Sequence, residues 1–108
     1  MATPIPGRTM SQHVTVLTGP TREQRGTLYF AVAEDGSPRF GATLCSKHDV
    51  FTRKKGTNIA AKRAEHCNDR HYKVHPSMHD DATAFLHRCE QFFGYENLVS
   101  RFGAMFTV

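Results

Sequence analysis

The stretch that most constrains this chain is Thr27-Leu-Tyr-Phe-Ala-Val-Ala33, followed by Glu34-Asp-Gly-Ser37 and then by Arg39-Phe-Gly-Ala-Thr-Leu-Cys45. Two runs rich in aromatic and β-branched residues, joined by an Asp-Gly signal, predict an antiparallel hairpin, because glycine supplies the positive φ that a tight connection needs. Alternation places Phe40, Ala42 and Leu44 on one face of the returning strand. In the first strand Tyr29 alternates away from Phe30, so one of these rings is expected outside the core. It either meets a ligand or is covered by a partner subunit. A sheet with apolar residues on both faces also suggests a homo-oligomer.

The remaining elements arrange themselves around this hairpin. His13-Val-Thr-Val-Leu17 alternates and predicts a short strand, with residues 1–12 as a proline- and glycine-containing leader and residues 13–108 as a single domain. Polar Thr21–Gly26 reads as a loop. A helix is expected from an N-cap at Asp49, or at Thr52 one turn later, to about Cys67, where Asn68-Asp69 stops it. Gly56 inside that helix costs roughly 1 kcal/mol against alanine, which suggests a close approach to another backbone or to a ligand. A second helix is expected after a Ser77 cap, with Asp80 and Asp81 in its first turn, where the dipole favours them. Ala82, Phe85, Leu86, Cys89, Phe92 and Phe93 recur at helical spacing and form its core stripe. Gly94 ends it. Tyr95–Arg101 adds a further turn, and Ala104–Val108 reads as a short final strand. The fold class expected is α+β, an antiparallel sheet with a central β-hairpin and two helices packed on one face.

The chain has 108 residues, enough for one modest core. It contains no apolar run of roughly 18 residues, so no membrane partner is expected, and Met1-Ala-Thr-Pro-Ile-Pro-Gly-Arg8 has no apolar signal core. Three widely spaced cysteines, Cys45, Cys67 and Cys89, do not form a disulfide framework, and free thiols in a cytoplasmic setting are the expectation. The charge is unevenly placed. Lys47–Arg63 carries six basic residues against one acid, Asp49, a net of +5, whereas the whole chain carries +4, so the rest sums to about −1. Such a patch favours an anionic partner.

On a helix this segment separates into faces. Gly56, Ala60, Ala64 and Cys67 form a narrow face of small residues suited to close packing. Lys54, Asn58 and Lys62 fall at i, i+4 and i+8 on another face, with Lys55 beside them. Arg53, Lys54 and Lys55 crowd the helix start, where the macrodipole is already positive. An ordinary solvated face is the plain alternative, but three cations there oppose the dipole unless an anion joins them, and phosphate is the natural candidate. The expected ligand-binding residues are Arg53, Lys54, Lys55, Lys62 and Arg63 for phosphate, Asn58 for ribose or base edges, and Phe51 or Tyr29 for stacking.

The pattern Asp49-x-Phe51-x-Arg53-Lys-x-Gly56-x-x-Ile59-Ala-x-x-Arg63 after a hairpin resembles one found in short phage-encoded proteins. Thr57 stands where that pattern has arginine and Lys62 where it has glycine. Phage proteins of this size and build include the first Thoeris anti-defence family, small α+β oligomers that trap cyclic nucleotide signals. The resemblance implies a non-catalytic counter-defence protein in the cytoplasm of an infected bacterial host, sequestering a nucleotide second messenger. Arg53-Lys-Lys-Gly-Thr-Asn-Ile-Ala-Ala61 is also similar to the lysine-rich start of the last helix of double-stranded-RNA-binding domains, which implies nucleic-acid binding through phosphates. The first helix of that fold has no counterpart in residues 1–12. A third implied partner is a host defence protein, such as a nuclease or CRISPR complex, on which the basic helix docks as an inhibitor.

Seven histidines invite a metal reading. Cys45-x2-His48 and Cys67-x3-His71 supply a conceivable Cys2His2 zinc set, although the chain has no Cys-x2-Cys knuckle and Pro76 interrupts any helix aligning His71, His75 and His79. Surface or core roles are the ordinary alternative, and no cofactor is expected. Enzyme motifs are absent: there is no Gly-x-Ser-x-Gly, no Walker loop and no His-Glu-x-x-His. Asp80 and Asp81 are adjacent on a helix and do not face each other, so they do not form an acid–base pair.

Overall fold

The computed structural model describes residues 4–18, 21–46, 49–66 and 73–106. Three antiparallel strands, β1 (Thr9–Thr18), β2 (Thr21–Val32) and β3 (Pro38–Leu44), form a sheet in the order β1-β2-β3. Helix α1 (Arg53–Glu65) follows, then a 3-10 turn at Pro76–Met78, α2 (His79–Phe93), α3 (Leu98–Arg101) and a 3-10 turn at Gly103–Phe106. The molecule is α+β, built on the expected central hairpin. At its turn Gly36 takes φ +84°, its N–H donating to the Ala33 carbonyl over 2.9 Å, and the Asp35 carboxylate accepts from the Ser37 N–H.

Strand alternation decides what each face buries. Leu28, Phe30 and Val32 of β2, with Phe40 and Ala42 of β3 and Val14 and Val16 of β1, point to one side. There they meet Ala82, Phe85, Leu86, Cys89 and Phe93 of α2, with Leu98 and Phe102 behind them. Phe30 stacks on Phe93 at 5.2 Å between ring centres, and Phe40 lies against Phe85 and Phe102. Aromatic groups of this kind carry most of the hydrophobic gain of a small core. Cys89 belongs to this core. Burial pushes its thiol up to about 12, so it behaves as a small hydrophobe.

The opposite face of the sheet is where α1 lies. Gly56, Ala60 and Ala64 are its buried residues, the small face expected from spacing; Cys67 lies outside the described residues. A Cβ on Gly41 of β3 would overlap the backbone of Ala60 and Ala64, and one on Gly56 would overlap the hydroxyl of Thr27. Helix and sheet therefore approach more closely than ordinary side chains permit.

This layering corrects the expectation of two helices on one face. The two long helices take opposite faces, so the sheet is a middle layer, with α1 lying over β2 and β3 on the second face. Other boundaries also differ. Strand β1 begins at Thr9 inside the expected leader, and Gly7 donates to the Val32 carbonyl while Val32 donates to that of Arg8. The expected loop at Thr21–Gly26 is the first half of β2, with a register slip that sets Val14 opposite Gly26 and Thr15 opposite Gln24. Thr52, not Asp49, caps α1, its hydroxyl accepting from the Lys55 N–H at 3.2 Å. Ser77 does not cap α2 but sits in the 3-10 turn, donating its N–H to His75 Nδ1. Phe92 is 58% exposed, outside the core stripe, under the Arg8 guanidinium. Gly94 ends α2 as expected, at φ +81°. Of the expected final strand, Ala104–Phe106 lie in a 3-10 turn that places Met105 in the core, its carbonyl accepting from the Val74 N–H, and residues 107–108 lie outside the described residues. The Asn68-Asp69 stop lies outside the described residues. Among the described residues no helix is long and apolar enough to cross a membrane.

Candidate functional site

The first turn of α1 is Arg53-Lys54-Lys55, with no acidic residue in it. Carboxylates are the stabilising choice at this position, because the unpaired N–H groups carry partial positive charge. Lys54 and Lys55 are exposed, and neither ammonium group pairs with a described residue. Lys54, Asn58 and Lys62 are all exposed, as the i, i+4, i+8 spacing requires of the face opposite Ala60. At 1.5 Å per residue this row runs about 12 Å along the helix.

The segment before α1 is held by β2. Arg25 Nη1 donates to the carbonyls of Ser46 at 2.9 Å and Asp49 at 3.2 Å, while its Nε donates to Glu23 at 2.6 Å. Arg25 is the extra residue at the register slip, a bulge that re-aims its side chain. Arg53 Nε donates to Gln24 Oε1 at 3.0 Å. Both anchors lie in the segment expected to be a loop, which is why sequence reasoning missed Arg25. Beneath the same turn, the fully buried Thr27 hydroxyl lies 3.1 Å from His13 Nδ1, and the Phe51 ring meets the His13 ring edge-on at 5.7 Å. Burial, and secondarily the nearby Arg53 charge, hold His13 below the ordinary histidine value.

The expected binding residues divide among three places. Phe51 and Lys55 line a cleft of about 230 Å³ at the amino end of α1, with Arg25, Leu44, Cys45 and Ile59. Tyr29 and Lys62 line a shallow groove of about 410 Å³ on the other flank of the helix. Arg63 turns to the free edge of β3, where Nη1 donates to the Ala42 carbonyl at 2.9 Å. Arg53, Lys54 and Asn58 line none of these hollows. The structure thus brings Lys54, Lys55, Asn58 and Lys62 together as one open surface, but does not gather Tyr29 and Phe51 around one pocket.

The zinc set is placed only in part. The Cys45 thiol lies 3.5 Å from the Ser46 carbonyl and 3.7 Å from that of Asp49, whereas His48, Cys67 and His71 lie outside the described residues. Among the described residues no three metal-ligating side chains cluster. His79 Nε2 meets the Val74 carbonyl at 2.9 Å and its ring packs on Phe106, a structural role.

No protein-family model, curated protein or solved structure matches the chain.

Proposed function

We propose that this protein is a non-catalytic binder of nucleic acid, taking the phosphate backbone on the outward face of α1. The observation that carries the reading is the cationic first turn, Arg53-Lys54-Lys55, on a helix whose other end also carries Lys62 and Arg63. The dipole makes these positions unfavourable for cations, and a bound phosphate removes that penalty by adding negative charge beside the N–H groups. The row Lys54, Asn58, Lys62 is open and unconfined, which suits a polymer whose charges continue past the protein more than a small molecule needing enclosure. Affinity for an oligonucleotide should fall linearly with the logarithm of salt, with a slope set by the number of phosphates engaged. A flat salt response in an anisotropy titration contradicts the reading.

The cleft at the amino end of α1 favours a second reading. Phe51 and Lys55 line it next to the capped turn, and its volume of about 230 Å³ accommodates part of a small nucleotide. Here the protein would sequester a nucleotide second messenger, the role that the resemblance over Asp49–Arg63 implies. Mass spectrometry of the denatured protein tests this: an intact nucleotide released in stoichiometric amount supports it, and a hydrolysed product points instead to an enzyme.

A further inference from the structure

Tyr29 is in the wrong place for a core residue. The core-facing residues of β2 are Leu28, Phe30 and Val32, and Tyr29 points to the other side, partly exposed beside α1. No described ring or hydrogen-bonding group engages it. Tyr95 shows the contrast: its hydroxyl donates to the Gly36 carbonyl at 2.7 Å and its ring meets Phe30 edge-on. Around Tyr29 the neighbours are small. Ala31 continues the floor of the groove, Ala61 stands on the helix wall, and Ser11 opposite on β1 is short and exposed. Two cations line the same groove, Lys62 on α1 and Arg39 on β3, with Glu65 as one opposing carboxylate.

We infer that this groove is a base-stacking platform for single-stranded nucleic acid, with Tyr29 receiving a base while Lys62 and Arg39 take the neighbouring phosphates. The inference rests on the nucleic-acid reading above and specifies the kind of strand. An aromatic side chain sharing a groove of about 410 Å³ with two cations is the arrangement by which single strands are held without sequence readout. A duplex keeps its bases paired and stacked, so it gains from the lysines alone. Lys62 belongs both to this groove and to the outward row, so a strand lying along α1 passes from one to the other without a break.

The chain has no tryptophan, so Tyr29→Trp creates a single reporter. Its emission should be quenched by an oligothymidylate of about 12 nucleotides and not by a duplex of the same length. Tyr29→Ala should weaken the single-strand complex roughly tenfold with an unchanged salt slope, and Tyr29→Phe should stay within about twofold of the parent. Glu65→Gln should tighten it slightly. Single-strand binding by Tyr29→Ala equal to the parent, or equal quenching by both probes, overturns this inference alone. If the parent protein binds neither probe at low salt, the nucleic-acid reading falls with it.

Discussion

The hydroxyl of Thr27 occupies the space into which a Cβ on Gly56 would project. This contact fixes how closely the amino end of α1 approaches the sheet, and so where Lys54 and Lys55 stand. Alanine in place of glycine in a helix ordinarily gains about 1 kcal/mol. Gly56→Ala should instead destabilise the protein by about 1–2 kcal/mol through the overlap, measured by urea denaturation. Adding Thr27→Ala should recover part of that loss, a coupling of about 1 kcal/mol.

Burial of His13 beside this contact makes stability depend on pH. His13 faces the Thr27 hydroxyl, the Phe51 ring and the Arg53 charge, and its folded-state value lies below the ordinary 6.5. Just below pH 6.5 the unfolded chain therefore binds more protons than the folded one, and stability rises with pH. The His13 contribution is complete above pH 6.5 and is lost as pH falls through that value towards the folded-state one. Melting temperatures of the parent and His13→Gln should converge or cross over this window. Parallel curves would show that His13 does not set the dependence.

Thr52 and Lys55 stand at the two positions of a capping box, where glutamate at the second would cap the Thr52 N–H in return. Lys55→Glu should raise stability by about 0.5–1 kcal/mol while weakening phosphate binding. A variant that is more stable but binds less shows that Lys55 is kept for a ligand rather than for the fold. Loss of both properties would mean that the lysine is structural.

Arg63 is expected to behave differently from the lysines. Its guanidinium donates to the Ala42 carbonyl on the free edge of β3, tying the end of α1 to the sheet. Arg63→Ala should cost about 1.5–3 kcal/mol of stability, the usual worth of a charged hydrogen bond. Affinity for an oligonucleotide, measured well below the melting temperature, should change much less than with Lys54→Glu.

Several of these features are legible from residue patterns and others are not. Strong local signals carried through: the Asp35-Gly36 turn, the small face of α1 at Gly56, Ala60 and Ala64, and most of the α2 stripe. Strand β1 hid its start because Thr9-Met-Ser-Gln12 is mostly polar, and pairing with Phe30 and Leu28 rather than propensity makes it a strand. The polar opening of β2 read as a loop for the same reason. Periodicity tells which side of a helix is buried, but not which side of the sheet receives it, so the position of α1 became visible only through Gly41 and Thr27. Tyr29 and Lys62 are each legible as candidates, and their meeting with Arg39 in one groove follows from the register that sets Ala31 opposite Arg39.

On the proposed reading, the outward lysines of α1 hold phosphate. Its most direct test is oligonucleotide affinity across a salt series for the parent protein and for the Lys54→Glu, Lys62→Glu double variant. Both lysines are exposed, so the variant should remain folded, as circular dichroism would verify. Linear salt dependence is expected for the parent, with a slope smaller by about two for any residual binding of the variant and a large loss of affinity at low salt. Equal affinity and slope for the two folded proteins would contradict it.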